Sequence, residues 1–436
     1  MPRSPPFRKG REAGGSAVDR EALARRYYNV ETLRRAARRV LPKVIFDFAD
    51  GGAEDEVTLR RNERDFDDLE IVPRMCTGPA ERDLSVELFG RRLSLPVLIA
   101  PTGLSGILWP QGEVCAARAA HAAGTVYCQS HGSTCTIEEL AKAAPGPRWF
   151  QVFLYRDRGL TASMVERAAA AGCEALILTV DNQVLGQRER DLANGFSIPP
   201  RLGLRGLLDM ARHPRWLVRT KAARGIGFAN YRGAAGHEDD ILSLAAYIAK
   251  MLDPGLSWRD VGWLRGLWKG PFLLKGILHP EDARIAAEHG VDGVFVSNHG
   301  GRQLDGAISA IAALPEIADA VGDRLVVLLD GGIRRGVDVL RALALGARAV
   351  AIGRPHWWGL AVAGEAGVAL VLDIFRRELD RAMALSGCAR IAEVDRRLLA
   401  PVGRGAAPSA RLRHVAQPRF SQIEPSSQSV AAPSRS

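Results

Sequence analysis

The chain has 436 residues, 47% hydrophobic and 25% charged, with a formal charge of +10 from 59 basic and 49 acidic side chains. That composition excludes disordered, fibrous and collagen-like chains and leaves room for one large or two ordinary cores. The N-terminal MPRSPPFRKGREAGGS lacks the apolar core of about 7–15 residues of a secretory leader, and no apolar run is read as approaching the ~18 residues of a membrane span, so a cytoplasmic protein is expected.

Residues 1–18 and 401–436, rich in Pro, Ser, Arg and Ala, read as disordered tails around one unit over 19–400. Within it, short apolar runs alternate with helical stretches. The runs are LPVLIA (95–100), TVYCQS (125–130), RWFQVF (148–153), ALILTV (175–180), PFLLKG (271–276), GVFVSN (293–298), LVVLLD (325–330) and AVAIG (349–353). Helical spacing appears in 112–124, 281–290, 335–347 and 392–400. Eight strands alternating with helices predict an α/β fold, a closed (β/α)8 TIM barrel with an N-terminal helical extension and a long insertion, 197–258, after strand four. An open doubly wound sheet is the alternative, but PTGLSG (101–106) lacks the G-x-G-x-x-G expected after its first strand. Six cysteines, at 76, 115, 128, 135, 173 and 388, form no C-x-x-C pair and no metal-ligand spacing, so buried apolar roles and no metal are expected.

Polar residues gather where the strands end. Strand four runs into Thr179 and Asp181, with Arg188 beyond; Lys275 ends strand five; Ser297, His299 and Arg302 follow strand six. A single histidine is more often structural than catalytic, but Lys, Asp, His and Arg at successive strand ends would share one rim of a barrel. DGGIRRG (330–336) and GRP (353–355) follow strands seven and eight, where barrels commonly bind phosphate. Gly331, Gly332 and Gly353 would let the backbone approach, and Arg334 and Arg354 would neutralise charge. The plainer reading of each motif is a glycine turn beside a surface arginine.

With GGAEDEVTLRRN (51–62), LPVLIAPTG, LTVD, LLKG, SNHGGRQLDG (297–306), DGGIRRG, ALALGA and IGRP, the chain resembles the FMN-dependent 2-hydroxy acid oxidases and dehydrogenases over roughly residues 28–400. PTGLSGILWP (101–110) and HPRWL (213–217) are similar to the bacterial mandelate and L-lactate dehydrogenases. The resemblance implies that Pro101, Thr102, Gly103, Ser130, Gln151, Thr179 and Ser297 contact the flavin, and that Lys275 stabilises the reduced ring. It implies Asp330 on the ribityl hydroxyls, and Gly331, Gly332, Arg334, Gly353 and Arg354 on the phosphate. Arg188 and Arg302 would clamp the substrate carboxylate, and His299 would be the base, oriented by Asp181. Whether the proton comes from carbon or hydroxyl stays open. A quinone, cytochrome or oxygen as electron acceptor and a homotetramer are further implications.

Two positions depart from the family: Phe48 and Phe153 stand where tyrosines usually contact the substrate. Tyr155 could share a face with Phe153 only if strand three continues that far. Gly103 and Gly132 suggest extra room for a larger, less polar side chain, unless neighbouring loops fill it. A catalytically weakened flavoprotein or binding protein on the same barrel is therefore the alternative function. A third reading, a barrel acting on a phosphorylated substrate with Lys275 as a Schiff base, leaves both clamping arginines idle.

The charge is concentrated in the insertion. Residues 201–233 hold eight basic side chains (Arg201, Arg205, Arg212, Arg215, Arg219, Lys221, Arg224 and Arg232) against one acid, Asp209, and interleave them with leucines and Trp216. This pattern suits an anionic membrane surface, placing the protein at the inner face of the cell membrane. The competing reading is a solvated lid that attracts anionic substrates. Nucleic acid is not expected, because stacking aromatics are few.

Overall fold

The computed structural model describes residues 20–77, 80–196, 203–222, 227–231 and 250–400. Both expected tails and part of the insertion lie outside them. The eight apolar runs form eight parallel strands: β1 (Val97–Ile99), β2 (Tyr127–Ser130), β3 (Arg148–Val152), β4 (Ala175–Thr179), β5 (Phe272–Ile277), β6 (Gly293–Val296), β7 (Val326–Asp330) and β8 (Ala349–Ile352). They close in chain order, with β8 paired to β1. The (β/α)8 barrel expected from the alternation is present.

The strands are buried on both faces, so they lack polar alternation, yet their period of two still sorts the side chains. Leu98, Cys128, Trp149, Ile177, Leu273, Phe295, Leu328 and Ala351 pack together inside, while Ile99, Phe150, Leu178, Leu274 and Leu329 join the cluster under the helices. Two residues beyond an inward position lies another inward one. Hence Ser130, Gln151, Thr179, Lys275, Ser297, Asp330 and Gly353 follow the apolar interior at the C-terminal end. One geometric rule thus builds both the core and a polar ring.

The opposite end is closed by a feature absent from the sequence reading, an antiparallel hairpin of Val86–Leu88 with Arg91–Leu93. Val86, Leu88 and Leu93 cluster with the barrel interior, Phe89 meets Trp149 edge-on at 5.7 Å, and Arg91 pairs with Glu174 at the foot of β4.

The N-terminal extension comprises helices Arg20–Arg26, Val30–Val40, Lys43–Asp50 and Val57–Arg64. The last enters the site: Asn62 and Asn298 exchange two amide hydrogen bonds of 2.8 Å. A Cβ on Gly332, whose φ is +82°, would fall 1.7 Å from the Asn62 carbonyl oxygen, so only glycine permits that approach.

Two sequence expectations are corrected. Residues 392–400 form no α-helix but belong to short 3₁₀ turns, Ile391–Glu393 and Arg396–Leu398. Conversely, the element Arg354–Ser386 is long and apolar enough to span a membrane, a stretch the sequence reading passes over. It breaks at Ala363 and Gly364, and 67% of its most apolar window is buried in the protein, so its composition reflects core packing. Of the cysteines, Cys128, Cys173 and Cys388 are buried, Cys115 and Cys135 partly so, and Cys76 is exposed.

Candidate active site

At the C-terminal mouth lies a cavity of about 480 Å3, within the range of small-molecule and cofactor sites. Every residue assigned to cofactor or substrate reaches its wall except Ser297, and the expected orienting group Asp181 also lies behind it. Burial explains both positions. Ser297 is fully buried between two charges: its Oγ accepts from Lys275 Nζ (2.9 Å) and donates to Asp330 Oδ1 (2.6 Å). Lys275 Nζ also sits 2.9 Å from Asp330 Oδ2. Burial opposes the ammonium charge, but Asp330 and Asp181 outweigh it and raise its pKa, leaving a fixed cation in the wall. Beside it, Gln151 accepts a hydrogen bond from Ser130 at 3.2 Å, and its buried Nε2 has no partner among the described residues.

His299 has φ = +58° and is followed by Gly300 (+66°) and Gly301 (+73°). Such a left-handed run is costly for a residue with a Cβ and turns the chain sharply after β6. The glycines make room, though for protein atoms: Cβ atoms there would meet Arg354 Nη1 at 2.8 Å and the Leu59 backbone at 2.6 Å. His299 Nδ1 lies 2.9 Å from Asp181 Oδ1, with side chains 29% and 14% exposed. Burial pushes the Asp181 carboxyl up, but His299 and Lys275 prevail and hold it below the usual range. Asp181 therefore stays ionised and fixes the proton of His299 on Nδ1, leaving Nε2 free to accept one.

The arginines make the cavity strongly electropositive. Arg188 and Arg302 lie over the ring of Phe48, at 5.6 and 5.3 Å from its centroid. Arg302 donates through Nη1 to the carbonyls of Phe48 and Gly51 (both 2.9 Å), and among the described residues its Nε and Nη2 make no hydrogen bond. Burial, then Arg188 and Arg354, push its pKa well below the ordinary value. Arg354 spends three of its five N–H groups on the carbonyls of Asp50 (3.0 Å), Gly300 (2.9 Å) and Gly51 (2.8 Å), and burial lowers its pKa to about 10. Arg334 is paired with Glu63 at 2.7 Å. An anion entering this cavity relieves repulsion among cations.

The expected extra room is largely taken. Phe228 from the insertion stands 3.4 Å from where a Gly132 Cβ would be, and Gly103 abuts the Gly132 carbonyl, at 3.0 Å from an added Cβ. Phe196 stacks on Phe48 at 4.4 Å, with Trp357 on another side of that ring at 5.7 Å. The cavity is thus walled by Phe48, Phe153, Phe196, Phe228 and Trp357, of which the sequence reading found two. Tyr155 does not supply the hydroxyl missing at Phe153, because β3 ends at Val152 and Tyr155 is buried away from the cavity wall.

The flavin mononucleotide fits this donor set. The buried unpartnered Gln151 amide, the fixed Lys275 cation and the glycine–arginine end after β7 and β8 match a polar ring system carrying a phosphate tail. Similarity agrees. A profile of the FMN-dependent dehydrogenases matches residues 37–401. The L-lactate dehydrogenase of Ectopseudomonas mendocina (strain ymp) is 46% identical over 367 residues, 84% of this chain and 97% of that protein. That of Caulobacter vibrioides (strain NA1000 / CB15N) is 46% identical over 374 residues, 84% and 96% of the two chains. Among solved structures, the monotopic membrane protein (S)-mandelate dehydrogenase aligns with a TM-score of 0.83 at 39% identity, covering 86% of this chain and 99% of that one. Barrel, ring and profile agree, and the chain belongs to the FMN-dependent dehydrogenase family.

Proposed function

We propose that this protein oxidises an L-2-hydroxy acid, lactate- or mandelate-like, to the 2-oxo acid and passes the electrons to a second acceptor. The observation that carries the reading is the Asp181–His299 pair at 2.9 Å, in a cavity that also presents Lys275, Arg188 and Arg302. Bound FMN supplies a two-electron acceptor. Pro101, Thr102, Ser130, Gln151 and Thr179 would hold its ring and chain, with Lys275 countering the charge of reduction and Asp330 on the ribityl hydroxyls. Gly331, Gly332, Arg334, Gly353 and Arg354 would hold its phosphate. Arg188 and Arg302 fix the substrate carboxylate by direction as well as charge. His299 Nε2 takes a substrate proton, and the ionised Asp181 stabilises the imidazolium. The aromatic walls favour an acid with an apolar side chain.

Denaturing the purified protein and weighing its chromophore tests the cofactor, and a panel of 2-hydroxy acids with an artificial dye acceptor tests the reaction. Released FMN and turnover of lactate, mandelate or phenyllactate are expected. No flavin after reconstitution, or no acid oxidised, overturns the proposal.

Membrane association has its own support. In helices Leu204–Ala211 and Pro214–Ala222 the side chains of Leu204, Leu207, Leu208 and Val218 are exposed beside the exposed Arg205, Arg212 and Arg215. Trp216 does not join them: it is buried, its Nε1 donates to the Ile107 carbonyl at 2.8 Å, and it anchors the insertion over the barrel. Leucines outside and tryptophan inside suit a headgroup-region contact, and the aligned (S)-mandelate dehydrogenase is a monotopic membrane protein. Co-sedimentation with anionic vesicles, weakening with salt and lost when 201–233 is replaced by a short linker, is the expected result. A protein that stays in the supernatant at low salt overturns it.

A further inference from the structure

His131, next to Ser130 at the end of β2, is a second imidazole on the cavity wall, and the mechanism above does not use it. Its Nδ1 lies 2.9 Å from the hydroxyl of Tyr155 and also contacts the hydroxyl of Tyr231, and the two hydroxyls contact each other. All three rings are buried, and these three polar atoms have no other partner among the described residues.

The protons of this triad can be counted. Each tyrosine brings one O–H, and in an apolar surround each needs an acceptor. If Nδ1 is bare, one hydroxyl donates to the other, which donates to Nδ1, and every proton is placed. If Nδ1 carries the proton, one buried hydroxyl has nowhere to donate. The imidazole is therefore the Nε2–H tautomer. Burial also pushes its pKa down to about 3, with the charge of nearby His299 adding to the effect, so the ring stays neutral and cannot compete as a base. The side-chain hydrogen bonds of His131 among the described residues all fall on Nδ1, so Nε2 makes none, and the ring leans on Phe153 at 4.2 Å between centroids.

We propose that His131 recognises the substrate: its Nε2–H, set by the Tyr155–Tyr231 pair, donates a hydrogen bond to the oxygen on C2 of the acid. This rests on the 2-hydroxy acid reading and adds to it a division of labour between two histidines. His299 removes the proton, while His131 holds the oxygen as hydroxyl and then as carbonyl. It also accounts for how a cavity with phenylalanine at 48 and 153 orients that oxygen.

The test compares ligands that differ only at C2. Flavin absorbance of the oxidised holoenzyme is titrated with phenylglyoxylate and with phenylacetate, for the parent and His131→Phe. Phenylglyoxylate should bind ~10-fold more weakly to the variant, about the worth of one neutral hydrogen bond, with phenylacetate unchanged. His131→Gln, which keeps a donor, should recover part of the loss. Equal weakening for both ligands, or none for either, overturns the proposal. Nitrogen-15 spectra of histidine-labelled holoenzyme give a readout independent of substrate. A signal pair lost in His131→Phe should show a protonated Nε2 and a bare Nδ1, and the Tyr155→Phe/Tyr231→Phe double variant should disturb it. A protonated Nδ1 overturns the assignment even if 2-hydroxy acids are turned over. Failure of the activity reading appears separately, as an FMN holoenzyme that no 2-hydroxy acid reduces.

Discussion

Replacing Asp181 with asparagine removes one charge while leaving a carbonyl oxygen where His299 Nδ1–H can still donate. The carboxylate oxygen lies 2.9 Å from Nδ1, and both side chains are mostly buried. Between charge centres roughly 4 Å apart, attraction at an effective dielectric near 20 is about 4 kcal/mol. Partial exposure of the imidazole screens about half of that, leaving about 2 kcal/mol of support for the imidazolium formed as the proton moves. At 1.4 kcal/mol per factor of ten, flavin reduction should slow by ~30-fold. The assay is anaerobic stopped-flow reduction of the holoenzyme at saturating substrate. Flavin content should match the parent. Reduction within about threefold of the parent would refute the electrostatic role of Asp181.

Arg354→Ala removes three hydrogen bonds to backbone carbonyls. FMN affinity should fall by about 10–100-fold, the range of one charge-assisted contact, read as free flavin fluorescence after ultrafiltration. Arg354→Lys should restore little, since an ammonium cannot span the same carbonyls. Acid should destabilise the fold early: His131 and His356 have native pKa values of about 3 and 4 against a usual 6.5. Below 6.5 the unfolded chain takes up protons that the native state refuses, so stability falls with pH, by about 2 kcal/mol per histidine at pH 5. Thermal melts across this range check it, and a flat melting temperature contradicts it. Phe228→Ala opens the space over Gly132 and should raise the preference for phenyllactate over lactate by ~10-fold in kcat/KM.

The strands were legible because each is a short aliphatic run bounded by turn residues, and the polar ring was legible because barrel strands place chemistry at their C-terminal ends. What escaped is what connects distant segments. Phe196 and Phe228 lie in or beside a long insertion with no periodicity tying them to the cavity. The hairpin at 86–93 is too short for a pattern of its own. Tyr155 and Tyr231 are separated by 76 residues, and nothing in either local sequence reveals that they share a proton network with His131. Ser297 and Asp181 were found as polar strand-end residues, but their depth behind the wall follows from side-chain direction, which spacing alone does not resolve.

The hairpin packed into the foot of the barrel closes that end to the cavity. Fuel, spent product and an acceptor that collects the electrons would then share the mouth at the other end, where Trp216 anchors the insertion. Traffic through one door is serial, so the turnover cycle divides into two visits, and a crowd of the first visitor delays the second. Inhibition by excess hydroxy acid, relieved by raising the acceptor concentration, is the kinetic signature expected of a barrel closed at its foot.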